Sequence, residues 1–303
     1  MKQLKITFIA LVAMAFATTG CKQNATTTNK DSIIVDNIDT LAVDSIVYHA
    51  KKDSTISSDI IVDYPKGNDS MAIAVRTFIA NELAQLYLPL NNSPEAANKY
   101  KTYNGDVANA QAVVDYYGKG TLNYMIAEQA EMIKLMNENE ADGFTPSIPQ
   151  MANELNIRKS YENDKYITFS INSYCYLGGA HGSALDYSVN ISKATKKPLK
   201  ETVDTLKTKA IQPLLRKGIL SYIRKYDKEV NEKNLTSYLF IENGIIPLPA
   251  NAPYLAEDGV HFAYQQYEIG PYAMGIIEFT IPYAEIKPYL CKEVVDIINE
   301  LRS

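Results

Sequence analysis

The sequence predicts an α+β fold, with antiparallel strand pairs and helices packed against them, in one domain or two subdomains. Three patterns carry that expectation. Alternating apolar and polar runs come in neighbouring pairs joined by short turns, as hairpins require. Apolar stripes of helical period lie between those pairs. The order is not the regular strand–helix–strand alternation of a parallel sheet. The folded part is expected over 43–303, divided at 43–150 and 151–303 if two subdomains form.

Taken in order, Ser45–Lys52 and Ser58–Pro65 alternate as strands, and Pro65 ends the second. Asn68, Asp69 and Ser70 then offer N-cap oxygens. Ile73, Val75, Phe78, Ile79, Leu83 and Leu86 form one helical face, which stops before Pro89. A second helical region runs from Val107 to Met136, and Gly118 and Gly120 predict either two helices or a kink. Its Met125, Met132 and Met136 read as core or as an adaptable binding face.

Glu154–Asp164 and Asp164–Gly178 predict a hairpin turning at Glu162-Asn163-Asp164-Lys165. On its second strand Ile167, Phe169, Ile171, Ser173, Cys175 and Leu177 make the apolar face, expected in the core. Tyr166, Thr168, Ser170, Asn172, Tyr174 and Tyr176 make the polar face, expected toward solvent, a partner or a covering segment. Leu185–Leu199 reads as the next strand and a turn. A helix from Lys209 to Lys225 buries Ile211, Leu214, Leu215, Ile219, Tyr222 and Ile223, with Pro213 tolerated in its first turn. Val260–Tyr267 and Gly275–Tyr283 are strands separated by Glu268-Ile269-Gly270-Pro271. After Pro288 a final helix is expected to bury Val294, Val295, Ile298 and Leu301.

Residues 1–20 have the layout of a secretory signal: Lys2 and Lys5, an apolar run from Ile6 to Ala17, then Thr18-Thr19-Gly20 before Cys21. The run is too short to span a bilayer, which takes about 20 apolar residues. The ending on Cys21 resembles a bacterial lipoprotein signal. That resemblance implies cleavage before Cys21, a diacylglycerol on its thiol and a fatty acyl chain such as palmitate on the new amino group. Residues 21–42, rich in Thr, Asn, Asp and Ser, read as a tether. No acidic run follows Cys21, which points to the periplasmic face of the outer membrane.

The chain carries a formal net charge of −5 with both signs interspersed. It has no basic patch for phosphate contacts, which excludes a nucleic-acid binder. An acidic surface favours a basic partner. Cys175 and Cys291 form a disulfide if the fold brings their Cα atoms within about 7 Å, and are otherwise buried free thiols. No cysteine or histidine spacing marks a metal site, and no cofactor motif is present.

The block Tyr174–Tyr187, YCYLGGAHGSALDY, carries the chief functional candidates. Gly178, Gly179 and Gly182 around His181 read as a tight structural turn, as a recognition loop, or as the display of a catalytic or metal-binding histidine. His261 and Glu268 would complete a zinc set only if they converge on His181. No nucleophile motif accompanies His181. The block Gly259–Tyr283 brings Tyr264, Tyr267, Glu268 and Tyr272. Its tyrosines, with Tyr174 and Tyr176, read either as an interface or as packing under loops.

These two blocks, Tyr174–Leu199 and Asp258–Leu290, resemble the DUF3298 family, and Ile60–Leu83 looks like the DUF4163 segment that accompanies it. The resemblance extends to the extracellular lysozyme-binding domains of RsiV-type anti-sigma factors. It implies an envelope binding or sensing module that recognises a lysozyme-like protein or a cell-wall glycan without catalysis. The alternative is a peptidoglycan-directed hydrolase using His181, and a third reading is a structural lipoprotein bridging envelope partners. The ligand-binding candidates are Tyr174, Tyr176, Gly178, Gly179, His181, Tyr264, Tyr267, Glu268 and Tyr272.

Overall fold

The computed structural model describes residues 40–92, 94–138 and 147–301. The expected signal segment, Cys21 and most of the tether lie outside the described residues. The fold is α+β. Strands β1 (Val43–Lys52) and β2 (Ile56–Pro65) form a hairpin. Helices α1 (Ser70–Gln85), α2 (Leu88–Asn92) and α3 (Ala110–Glu138) follow. Strands β3 (Met151–Glu162), β4 (Tyr166–Tyr176) and β5 (Ser183–Ser192) complete a five-stranded sheet in sequence order. All its pairs are antiparallel except β2 with β3, which run parallel. A parallel pair needs a long crossover. The helical stretch from α1 to α3 is that crossover, so β2 and β3 meet from either side of residue 150.

Helices α1 and α3 cover one face of this sheet. Asp69 caps α1, its Oδ1 accepting from Met71 N at 2.8 Å and Ala72 N at 2.9 Å. Val75, Phe78, Ile79 and Leu83 of α1 then pack with Ile157, Ile167, Phe169 and Ile171 of the sheet. Burying each such side chain stabilises by roughly 1.5–3 kcal/mol. Helix α3 is one continuous element across its glycines, not the two helices that the sequence also allowed. Gly118 is there for close approach: a Cβ on it would lie 2.2 Å from the Tyr48 ring of β1. Met125 is buried, Met132 is half-buried beside it, and Met136 is exposed.

The chain then builds a second layer. Helix α4 (Gln212–Ile223) packs on a three-stranded antiparallel sheet, β6 (Tyr254–Leu255), β7 (Gly259–Tyr264) and β8 (Ile277–Pro282), in that order. The short α5 (Tyr283–Ile286) and the final α6 (Lys292–Glu300) close the same core. In α6 Val294 and Ile298 are buried, Val295 is half-buried, and Leu301 just beyond it is exposed, so the expected buried side is narrower than the pattern implied.

Tyr166 and Thr168, expected on an open face of β4, are both 2 % exposed. The second layer explains this. Asn190 of β5 holds β6 by a paired clasp: its Oδ1 accepts from Leu255 N at 2.6 Å and its Nδ2 donates to Leu255 O at 3.1 Å. Asn190 also donates to Thr168 Oγ1 at 2.9 Å. Tyr166 joins the core of the second layer.

Leu41, just before β1, is buried, and its N–H donates to the Glu162 carboxylate, which also pairs with Lys193 at 2.7 Å and with Lys159. Burial opposes charge on Glu162, but these ion pairs and the Leu41 N–H outweigh it and hold the carboxyl below its ordinary range. Cys175 and Cys291 are free thiols, both half-buried. Among the described residues no helix is long and apolar enough to cross a membrane.

Candidate functional site

The glycine block leaves β4 at Tyr176 and re-enters the sheet at Ser183, so it is the β4–β5 connection. Gly178 has φ +80°, the left-handed region that glycine occupies without strain. Gly182 serves close approach instead: a Cβ there would sit 2.4 Å from the Tyr174 ring. Gly179 meets neither constraint, since a Cβ on it would enter open space. The Tyr176 hydroxyl donates to Gly179 O at 2.9 Å and ties the loop to its strand.

The turn after β7 comes to meet this loop. Gln265, 9 % exposed, aims its side-chain amide at the outer edge of β5. Its Oε1 accepts from Asp186 N at 3.0 Å and its Nε2 donates to Asp186 O at 2.9 Å. Gln266 Oε1 accepts from Ala184 N at 2.9 Å. Side-chain amides thus take the place of a neighbouring strand and satisfy edge groups that are costly to bury unpaired. Glu268 braces the turn from inside, accepting from Gln265 N at 2.7 Å and Ala250 N at 2.6 Å.

The result is a cluster of rings. The His181 imidazole stacks on Tyr272, with centroids 3.8 Å apart and planes 22° from parallel. His181 Nε2 lies 3.2 Å from the Tyr267 hydroxyl and Nδ1 lies 3.1 Å from Gly182 O. The Tyr272 hydroxyl also donates to Gly182 O, at 2.9 Å. Because Gly182 O can only accept, the consistent tautomer carries its proton on Nδ1, and Nε2 accepts from Tyr267. Tyr267 is 56 % exposed and has φ +66°. A bulky residue in that region costs roughly 1–2 kcal/mol. Such strain persists where the surroundings over-determine it, and it concentrates at ligand clamps.

The cluster gathers His181, Tyr267 and Tyr272 directly, with Tyr174 against Gly182 and Tyr176 at Gly179. It does not include Tyr264, which is fully buried and donates to Pro247 O at 2.8 Å. The alternation of β7 ends at Gln265, so Tyr264 points to the core and Tyr267 outward. Nor does Glu268 meet a ligand face, since both its oxygens serve the backbone of its own turn and of Ala250.

His261 lies elsewhere, on β7. Its Nδ1 is 3.1 Å from Thr280 Oγ1, its Nε2 is 3.6 Å from Glu278 Oε2, and its ring neighbours Tyr254. Burial holds its pKa below the usual imidazole value despite Glu278 and Asp186 nearby. Burial, with Glu278 adding to it, pushes the Asp186 carboxyl up. The conceivable zinc set of His181, His261 and Glu268 is therefore not assembled, and no group of three or more metal-ligating side chains is present among the described residues.

The stretch that closes this site is also the stretch with a family likeness. Residues 186–284 match the DUF3298 family model, described as a protein of unknown function. The matched segment begins at Asp186, the residue that Gln265 clasps, and includes Tyr267 and Tyr272; His181 lies just outside it. Two crystal structures of DUF3298 family members share the fold. The one from Bacteroides fragilis aligns with a TM-score of 0.60 at 19 % identity, covering 86 % of this chain and 98 % of that one. The one from Pseudomonas aeruginosa aligns with a TM-score of 0.53 at 14 % identity, covering 85 % and 97 %. No curated protein matches the chain.

Sequence reasoning missed Gln265 and Gln266. Their only signal was position: two adjacent amides at the end of a strand, before a turn. It also missed the left-handed Tyr267, which no local pattern announces.

Proposed function

We propose that the face carrying Tyr174, Tyr176, His181, Tyr267 and Tyr272 is the recognition surface of a lipid-anchored envelope protein, held at the outer membrane through Cys21 and facing the periplasm. Its ligand is a basic, lysozyme-like protein. The observation that carries this reading is the ring cluster itself, presented at the surface on two loops locked together through Gln265 and completed by a strained, exposed Tyr267. Tyrosine gives large contact area for little entropy loss and keeps a hydroxyl for polar contacts, which suits a protein interface. The net charge of −5 steers a basic partner toward the protein. The resemblance to the RsiV-type ectodomain points the same way.

The hydrolase alternative would need a carboxylate or a nucleophile on His181. Its nitrogens instead meet a backbone carbonyl and a tyrosine hydroxyl, and the geometry gives that alternative no support.

Calorimetric titration of the whole chain with a lysozyme and with soluble muropeptides tests the proposal. Binding of the lysozyme, at least tenfold weaker in Tyr267→Ala, is the expected result. Binding of muropeptides alone would make the ligand a glycan, and binding of neither would end the recognition reading.

A further inference from the structure

A second surface lies on the other side of the β7–β8 pair. The three-stranded sheet has β8 at its edge. The bond from Ala256 N to Gly259 O at 2.9 Å turns the backbone groups of Gly259, and by alternation those of His261 and Ala263, toward β6. Val260, Phe262 and Tyr264 therefore pair with Ile281, Phe279 and Ile277. The N–H and C=O groups of Glu278 and Thr280 are left pointing outward. Pro282 ends this free edge, having no N–H to offer.

Helix α4 runs alongside, antiparallel to β8. Lys217, in its first half, meets Glu285 just past the end of β8 at 2.9 Å, and Tyr222, near its end, donates to Met274 O, ahead of the start of β8, at 2.8 Å. Between helix and strand edge lies a groove of about 420 Å³. Leu214, Gly218, Ser221 and Tyr222 form its helical wall, and Glu278–Pro282 form the other. The two ends differ in charge. Lys217 is neutralised by Glu285. Lys225, at the opposite mouth, rests over the Tyr222 ring with its ammonium 5.3 Å from the centroid and has no carboxylate partner among the described residues.

We propose that this groove binds an extended, acidic peptide segment of a partner protein, adding it to the sheet as a fourth strand beside β8. Unpaired N–H and C=O groups, alternating along a strand edge, are a template for another polypeptide backbone and for little else. A strand laid there turns every second side chain toward the wall of α4, where the small, exposed Ser221 leaves room for a β-branched residue, while Gly218 is closed by the Phe279 ring of β8. A carboxylate near one end of the segment meets Lys225. The site is distinct from the ring cluster at His181 and does not depend on it.

Selection from a phage-displayed library of random nine-residue peptides on the whole chain tests this, with variants at two exposed positions, one on α4 and one just past its end, in parallel. Ser221→Trp fills the groove and Lys225→Glu reverses its charge, and neither position is in a core, so unchanged melting temperatures verify the fold. The expected result is an enriched family of alternating β-branched peptides carrying an acidic residue. The strongest, made synthetically, should bind at least tenfold more weakly to either variant, and at least tenfold more weakly when its alternate backbone nitrogens are methylated. Its affinity should not change in Tyr267→Ala. Failure to enrich any family, or an enriched peptide indifferent to both variants or to methylation, would overturn the proposal.

Discussion

Gln265 closes on the backbone of Asp186 with both halves of its amide, one bond of 3.0 Å and one of 2.9 Å. This clasp joins the turn of the second layer to the edge strand of the first, and the ring cluster depends on it. Gln265→Leu keeps the bulk but leaves the Asp186 N–H and C=O unsatisfied, at a cost of about 1–3 kcal/mol. Urea denaturation should show that loss. In the same variant the side-chain NMR signals of His181 and Tyr272 should lose their mutual ring-current shift.

Tyr267 pulls stability and recognition in opposite directions. Tyr267→Gly removes the left-handed strain and should stabilise the chain by about 1 kcal/mol. It also removes the exposed phenol that faces His181, so affinity for the lysozyme should fall at least tenfold. A structural role alone would lower stability and leave binding unchanged.

The glycine loop makes a graded prediction. Gly179→Ala should change stability by less than about 0.5 kcal/mol, since nothing stands near its Cβ. Gly178→Ala, at φ +80°, should cost about 1 kcal/mol or more. Gly182→Ala would drive the Tyr174 ring away and disturb the carbonyl on which His181 and Tyr272 converge. Thermal melts of the three variants would rank them in that order, with Gly179→Ala least affected.

Glu82 and Tyr187 make a buried pair between α1 and β5, the hydroxyl donating to Oε2 at 2.6 Å. Burial raises the Glu82 pKa, and the bond from Tyr187 opposes that only in part. A carboxyl whose folded pKa is raised contributes its stability below the unfolded value, about 4.3, and loses it as pH rises through the folded one. Glu82→Gln should therefore gain stability over the parent between acidic and neutral pH, as read by denaturation at pH 4 and pH 7. Tyr187→Phe removes the donor and should cost about 1–3 kcal/mol.

Glu162 has the opposite sign. Its carboxyl is held below the ordinary range, so its contribution is present above the unfolded pKa and lost as pH falls through the folded one. Glu162→Leu breaks contacts to Lys159, Lys193 and Leu41 together and should cost about 3 kcal/mol at neutral pH. Acid denaturation of the parent should show a loss that this variant lacks, and amide exchange at Leu41 should quicken in the variant.

Local periodicity made much of the fold legible. Ile167, Phe169 and Ile171 alternate because one face of β4 is packed against α1, and Asp69 announces the helix it caps. What could not be read depends on residues far apart in the chain. The parallel β2–β3 pair needs a crossover that no hairpin pattern encodes. Tyr166 and Thr168 are buried by a layer contributed some ninety residues later, around Leu255. Gly118 and Gly120 looked like helix breakers, yet Gly118 is explained by a neighbour, Tyr48, on another element. At the site, the two tyrosine-rich blocks do meet, but Tyr264 and Tyr267 separate only because the strand ends between them and the backbone reverses at Tyr267.

The account rests on His181 and Tyr267 acting as one surface, and a double-mutant cycle on lysozyme affinity measures that directly. His181→Ala, Tyr267→Phe and the double variant would be titrated beside the parent chain. The predicted result is a loss in each single variant and a coupling of at least about 0.5 kcal/mol between them, as expected for residues in contact. Affinities unchanged in both single variants, or losses that simply add, would contradict it.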